Sequence, residues 1–158
     1  METETATRWL NDAEQCAWRT HLDVSRLLTH QLEKDLQPFG LTMNDYEILV
    51  NLSESDDQRM RMSDLATATL QSKSRLSHQI TRMESAGLVR RENCESDRRG
   101  LYAVLTEDGA ETMRKVAPQH VASVRKHFMD LLTPEALAEL HAALAPVADH
   151  LRGRRGKV

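Results

Sequence analysis

The 158-residue sequence predicts a mainly α-helical fold with one small antiparallel β-sheet. Aromatic residues make up only 4% of the chain, and glycine and proline are sparse, with 6 and 4 residues, which favours helices over an all-β fold. Long segments at both ends repeat apolar residues at helical intervals. Between them lie shorter helical segments followed by two runs of strand-forming residues.

The N-terminal segment from Trp9 to Gln37 is predicted to be one long helix. Its apolar residues recur at helical spacing: Leu10, Ala13, Ala17, Val24, Leu27, Leu28, Leu32 and Leu36. Pro38 and Gly40 are expected to end it. Because its remaining surface is charged, the single apolar stripe needs a packing partner.

A second helix is predicted from Thr42 to Ser53. Thr42 is a candidate N-cap, and Asp45 stands three residues further on, in the capping-box position. The polar residues 54–58 interrupt the helical pattern, and residues 60–62 have the composition of a short strand that adds to the sheet.

A short third helix is predicted from Ser63 to Leu70, where it positions the helix that follows. Ser63 is its candidate cap. Its predicted core residues are Leu65, Ala66 and Leu70.

The helix predicted over Ser72–Ala86 has one apolar and one hydrogen-bonding side. Leu76, Ile80 and Met83 follow an i, i+4, i+7 spacing and form a narrow apolar stripe. The opposite side carries hydrogen-bond donors and cations without an acid: Ser74, Arg75, His78, Thr81 and Arg82. That chemistry suits an anionic partner rich in hydrogen-bond acceptors. Ser72 is the candidate N-cap, and Gly87 is expected to end the helix.

Two strands are predicted next, over residues 88–91 and 101–105, with a polar loop over residues 93–100 between them. Arg98 and Arg99 lie near the tip of this loop. Helix, helix, strand, basic loop and strand is the order of a winged helix-turn-helix. In that fold the second helix enters the DNA major groove, and the loop reaches the backbone or the minor groove.

The distribution of charge is consistent with a DNA partner, although the net charge is −3. Residues 71–100 contain seven lysines and arginines against four acids. Local potential governs docking, and a negative remainder limits indiscriminate binding. The alternative interpretation is an ordinary solvated charged face.

Two further helices are predicted after the second strand. The first runs from Glu107 to Leu132, with Thr106 as its cap and a bend or break at Pro118. The second restarts at Thr133-Pro134 and carries a coiled-coil-like seam of Leu137, Leu140, Leu144, Val147 and Leu151. Pro146 predicts a kink in it. The basic tail after Leu151 is expected to be a frayed terminus.

The segment around the predicted wing resembles a known family. The run Asp97-Arg98-Arg99-Gly100, followed by Leu105-Thr106-Glu107-Asp108-Gly109, is similar to the wing-to-helix signature of the MarR (multiple antibiotic resistance regulator) family. That signature is an aspartate, one residue, an arginine, then a strand closing on Leu-Thr-x-x-Gly. Residues 83–89 resemble the end of that family's recognition helix, and residues 40–42 the start of its second helix.

The candidate DNA contacts follow from the residues of the predicted recognition helix and wing. They are Ser72, Lys73, Ser74, Arg75, Ser77, His78, Thr81, Arg82, Arg98 and Arg99. Arginine can bond guanine at two acceptors, whereas Lys73, near the helix start, is expected to meet phosphate. Asp97 is expected to orient Arg98 or Arg99. The resemblance implies that Arg99 reaches the minor groove.

The predicted organisation is one structural unit with three parts. Residues 1–40 form an N-terminal dimerisation helix, residues 41–106 the winged helix-turn-helix core, and residues 107–158 the C-terminal dimerisation helices with a basic tail. The flanking stripes are expected to pack on a second chain, since a core of this size does not need them to fold. Packing within one chain is the alternative.

The resemblance implies a repressor that a small aromatic or phenolic effector releases from a pseudo-palindromic operator. Trp18, His21 and Tyr46 lie in elements that could line the effector pocket, and ordinary packing is the competing role for each. The sequence is also compatible with a redox- or metal-responsive regulator of the same fold, and with a winged-helix module that binds only protein.

The remaining function classes find little support in the sequence. Phosphate-loop, nucleophile-elbow and clustered Cys/His patterns are missing, so neither enzyme activity nor a cofactor is expected. Histidine pairs such as His120 and His127 lack the i, i+4 spacing of a helical zinc site, so no metal is expected. Cys16 is expected to be a buried or idle thiol, and Cys94 an inert one. With no apolar run of membrane length, a cytoplasmic protein is predicted.

Overall fold

The computed structural model describes residues 7–94 and 97–153, apart from the side chains of residues 94 and 97–99. Within these residues the chain is mostly helical, with one small sheet. The α-helices and strands are, in order, α1 Asp12–Leu36, α2 Met43–Glu54, β1 Arg59–Arg61, α3 Met62–Ala68, α4 Lys73–Ser85, β2 Val89–Cys94, β3 Asp97–Leu105, α5 Glu107–His127 and α6 Pro134–Gly153. The predicted fold class is confirmed.

Side-chain caps begin most of the helices where the sequence predicts them. Thr42 and Asp45 form the capping box of α2, and Ser72 Oγ accepts a hydrogen bond from the Arg75 N–H at 3.2 Å. Thr106 caps α5 at the Gly109 N–H (3.0 Å), and Thr133 caps α6. α1 begins at Asp12, later than predicted, because Asn11 and Glu14 form a capping box there.

The start and end of α3 differ from the prediction. The helix begins at Met62 behind Arg61 and has no side-chain cap, so Ser63 is not its N-cap. Leu70 is 65% exposed and has a left-handed backbone with φ of 58°, so its predicted burial is wrong. The chain turns sharply at Leu70 to begin α4, and this turn points the side chain away from the core.

The sheet has the order β1-β3-β2, and all its pairs are antiparallel. The predicted short strand beside the wing exists as β1, whose Arg61 pairs with Tyr102. The wing strands are longer than predicted, since pairing continues to Cys94 and Asp97. Most of the loop predicted over residues 93–100 is therefore strand, because a two-stranded ribbon tolerates polar residues on its exposed faces.

The core lies between α2, α4, the sheet and the first half of α5. Its fully buried side chains include Ile48, Leu49, Leu52, Leu65, Leu76, Ile80, Val89 and Val116. Leu36, at the end of α1, completes it. The apolar stripe predicted for α4 is thus the side by which that helix packs on the core.

The two C-terminal helices contain their prolines without a break. Pro118 lies inside α5 and Pro146 inside α6. α5 ends at His127 instead of Leu132, because Phe128 leaves helical geometry (φ −143°, ψ −64°) and a 3₁₀ turn follows. No residue of α6 is buried in the single chain.

Candidate nucleic-acid interface

The outer side of α4 carries the residues predicted to contact DNA. The side chains of Leu76, Ile80 and Met83 are buried, so the opposite side is turned to solvent. The exposed predicted residues are Ser72, Lys73, Ser74, Arg75, Ser77, His78, Thr81 and Arg82. The helix therefore presents its donors and cations together.

Four of these residues are available to a partner. Within the part of the chain that the structure describes, the side chains of Lys73, Ser74, Arg75 and His78 make no hydrogen bond or ion pair. They occupy the N-terminal half of α4. In helix-turn-helix proteins this half of the recognition helix contacts base edges.

Ser77 and Thr81 are engaged by Arg91 of β2. One Arg91 nitrogen, Nη2, donates to the Ser77 carbonyl oxygen at 2.8 Å and to Thr81 Oγ1 at 2.9 Å. The other, Nη1, binds Glu84 Oε2 at 2.6 Å, while Glu84 Oε1 accepts the Arg91 N–H at 3.0 Å. The hydrogen bonds of Arg91 therefore link the recognition helix to strand β2 of the wing.

Arg82 is also engaged within the protein. Its Nη2 lies 2.5 Å from Oδ1 of Asp45, a residue of α2 whose side chain is 1% exposed. Burial raises the pKa of Asp45, but the hydrogen bonds from Thr42, Gln79 and Arg82 together bring this pKa below its usual value. This ion pair joins positions 37 residues apart, which the local sequence pattern does not indicate.

A basic groove of about 370 Å³ lies at the N-terminal end of α4. Its lining includes Arg61, Ser63, Lys73, Ser77 and Arg91. Cations and hydroxyls of this kind match a phosphate group. Sequence reasoning missed Arg61 and Ser63, because only the placement of β1 and α3 beside α4 brings them here.

The outer face of the sheet adds further cations. Arg59 and Arg61 lie over the ring of Tyr102, with guanidinium carbons 5.0 and 5.5 Å from its centroid. Glu92 pairs with Arg59 at 3.8 Å and also with Arg90.

Around the wing tip, residues 94 and 97–99 are described only in their backbone. Asp97, Arg98 and Arg99 begin β3, and their side chains lie outside the described residues. The orienting role of Asp97 and the DNA contacts of Arg98 and Arg99 therefore stay predictions. The side chain of Cys94 is likewise not described.

The three residues predicted to line an effector pocket take part in two separate ring contacts among the described residues. Trp18 stacks on His21, with ring centroids 5.9 Å apart. Tyr46 instead packs against His120, at 4.2 Å. Burial lowers the pKa of His120, and burial followed by the charge of Glu54 raises that of Tyr46.

His21 lines an apolar groove of about 790 Å³ between α1 and α6, opposite Phe128, Leu140 and Leu144. Cys16 lies exposed on α1, so burial does not protect its thiol in the single chain. In residues 7–94 and 97–153, no three His, Cys, Asp or Glu side chains come together as a metal site would require. None of the helices in those ranges has the length and apolarity of a membrane span.

Comparison with known proteins connects this geometry to one family. The sequence model described as "MarR family" matches residues 39–100. The HTH-type transcriptional regulator PecS of Dickeya dadantii is 30% identical over 136 residues, which are 84% of this chain and 80% of that protein.

Two crystal structures from Streptomyces coelicolor are similar over almost the whole fold. AbsC, a MarR family transcriptional regulator, is 84% identical, with a TM-score of 0.90 over 93% of this chain and 99% of that one. Sco3205, a MarR family regulator solved in complex with DNA, is 42% identical, with a TM-score of 0.88 over 92% of each chain. The chain belongs to the MarR family of transcriptional regulators.

Proposed function

We propose that this protein is a sequence-specific DNA-binding transcriptional regulator that works as a homodimer and represses its targets. The proposal rests on the exposed, acid-free N-terminal half of α4, because the side chains of Lys73, Arg75 and His78 make no hydrogen bond or ion pair within the described part of the chain. The adjoining basic groove supplies a place for backbone phosphate. The DNA-bound structure of the 42% identical Sco3205 supports the same partner.

The apolar surfaces of α1 and α6 support a dimer. Leu27 on α1, Leu131 in the 3₁₀ turn before α6, and Val147 and Leu151 on α6 are each more than half exposed, and α6 buries none of its residues in the single chain. Exposed apolar surface of this kind commonly marks a contact with another protein chain. Two-fold pairing would set two recognition helices about 34 Å apart, in successive major grooves of a pseudo-palindromic site.

We also propose a small aromatic or phenolic effector that releases the DNA. The contact between Tyr46 and His120 supports an effector site at this position. The contact joins α2 of the core to α5, which lies beside the dimer helices. A ligand that separated these rings would act on the core and the flanking helices together. Such a ligand must bind one arrangement better than the other.

Selection from a random duplex pool tests DNA recognition directly. We expect the full chain to enrich an inverted repeat with half-sites about one helical turn apart. Adding phenolic compounds to the complex should then lower its affinity. Failure to enrich any sequence, with only salt-sensitive binding to all duplexes, would contradict sequence-specific recognition.

A further inference from the structure

Asp45 has a second role beyond the cap of α2. Its Oδ2 accepts hydrogen bonds from the Thr42 N–H at 2.9 Å and from the Thr42 hydroxyl at 2.8 Å. Its Oδ1 points the other way and accepts from Gln79 Nε2 at 3.0 Å and from Arg82 Nη2 at 2.5 Å. One carboxylate therefore joins the first turn of α2 to the recognition helix.

The two hydrogen-bond partners of Asp45 in α4 restrict the rotation of that helix. Gln79 and Arg82 are three residues apart, so they lie one above the other on the side of α4 that faces α2. Gln79 is 9% exposed and Asp45 1%. A buried carboxylate needs its partners, so any rotation of α4 that withdraws them is opposed.

The same contact distinguishes Arg82 from the other cations of α4, because it pairs the charge of Arg82 within the protein. Arg82 stands seven residues after Arg75, which is about 10 Å along the helix axis. Its charge is paired with Asp45, whereas Lys73, Arg75 and His78 have no partner in the described part of the chain. Arg82 is thus placed as an anchor, although its side chain is 54% exposed.

We propose that Asp45 is a positioning residue for DNA recognition. Through Gln79 and Arg82 it sets the angle at which α4 presents Arg75 and His78, and it withholds the Arg82 charge from phosphate. The proposal rests on the proposed function, since it concerns how that surface is held. In this proposal Arg82 holds the recognition helix against α2, instead of contacting DNA bases as the sequence predicts.

Hydrogen exchange of the free protein tests the anchor without DNA. Asp45→Asn removes the charge, and we expect amide exchange across α4 to increase at least tenfold. Thr42→Ala is the matched control, because it weakens the same cap and leaves Gln79 and Arg82 on Asp45. It should increase exchange in α2 only. Gln79→Ala, which spares the cap, serves if Asp45→Asn does not fold.

The salt dependence of DNA affinity tests the functional consequence. For Asp45→Asn we expect the ratio of affinities for selected and unrelated duplexes to fall at least tenfold. The slope of log K against log salt should steepen by about 0.9, because the freed Arg82 reaches one phosphate. Adding Arg82→Ala to Asp45→Asn should restore the original slope, and Arg82→Ala alone should leave it unchanged.

Three results would overturn the proposal. The first is unchanged exchange in α4 of Asp45→Asn. The second is an unchanged affinity ratio despite faster exchange, which would leave Asp45 with a stabilising role only. The third is a slope about 0.9 shallower for Arg82→Ala alone, which would place Arg82 on phosphate in the native complex. If the unmodified protein selects no duplex, the proposed function fails, while the exchange result still decides whether Asp45 anchors α4.

Discussion

The surroundings of the His120 ring, at the junction of α2 and α5, disfavour its protonated form. The ring packs against Tyr46 with ring centroids 4.2 Å apart, and burial lowers its pKa from the usual 6.5. The unfolded chain therefore binds a proton at this residue more readily than the folded chain does. Protonation is thus linked to loss of this contact.

Replacing His120 should change how the stability of the protein depends on pH. The free energy of unfolding includes a His120 contribution that is complete above the unfolded pKa and is lost as the pH falls below about 6.5. His120→Phe keeps a ring against Tyr46 and cannot be protonated. We expect urea midpoints of the variant to fall less than those of the unmodified protein between pH 7.5 and 5. Parallel curves would contradict this linkage.

Lys73 and Arg75 are expected to contribute differently to DNA binding. Arg75→Ala should cost roughly 1–3 kcal/mol on the selected duplex and relax the preference at one base position. Lys73→Ala should weaken all duplexes alike and lower the salt slope by about one. Binding titrations over a salt series distinguish the two. Arg26→Ala on α1, whose partner is the neighbouring Asp23, is the charge-matched control and should leave both quantities unchanged.

At the scale of elements, sequence patterns predicted the features that depend on residues close together in the chain. The apolar stripe of α4 and the caps at Thr42, Ser72, Thr106 and Thr133 depend on residues a few positions apart. The length of the wing strands depends instead on cross-strand pairing, which polar residues do not signal. The start of α3 likewise has no local signal, since no side chain caps this helix.

The candidate site was predictable to the same extent. The exposed face of α4 follows from helical periodicity, because buried Leu76 and Ile80 leave only one side for solvent. The periodicity does not tell a free cation from a paired one. Arg75 and Arg82 look alike in the sequence, and only the approach of Asp45 from α2 distinguishes them.

Gly109 shows why the Leu-Thr-x-x-Gly run ends in glycine. A Cβ added at this position would overlap the Leu88 carbonyl oxygen and lie 2.7 Å from Leu105 Cδ1. We expect Gly109→Ala to lower the free energy of unfolding by roughly 1–3 kcal/mol, because the first turn of α5 must move off the wing. Gly153→Ala in α6 is the control, since its Cβ would meet nothing within 4 Å. Denaturant titrations of both variants check this, and equal midpoints would contradict it.

Of the two adjacent arginines in β2, only Arg91 is expected to hold this strand against α4. Arg91 binds Ser77, Thr81 and Glu84, whereas the half-exposed side chain of Arg90 pairs with Glu92 on the outer face of the sheet. Arg91→Ala should lower the free energy of unfolding by roughly 1–3 kcal/mol, since hydrogen bonds to charged groups are lost.

Arg90→Ala is the matched control for Arg91→Ala. It removes the same charge from the same strand, and its expected stability change is below about 1 kcal/mol because the pair is exposed. Chemical denaturation measures both variants. If Arg90→Ala proved as costly as Arg91→Ala, the contacts to α4 would not be the source of the stability.

At the scale of the whole molecule, a single chain leaves the apolar surfaces of its first and last helices largely uncovered. α1 buries only Leu32 and Leu36, both near the end that joins the core. The α6 seam leaves Leu144, Val147 and Leu151 exposed. A second chain would cover these surfaces and set the distance between the two recognition helices, so DNA affinity should depend on assembly.

Charge introduced into the α6 seam should therefore separate the protomers. We expect Val147→Glu to halve the mass measured by light scattering and to weaken binding to the selected duplex at least tenfold, because burying an unpaired carboxylate is costly. Its fold should be retained, since Val147 is half exposed in the single chain. Ala142→Glu, on the exposed side of α6 away from the seam, is the control and should keep both mass and affinity. A Val147→Glu protein of unchanged mass would place the dimer contact elsewhere, and a monomer with full affinity would show that pairing is not needed for recognition.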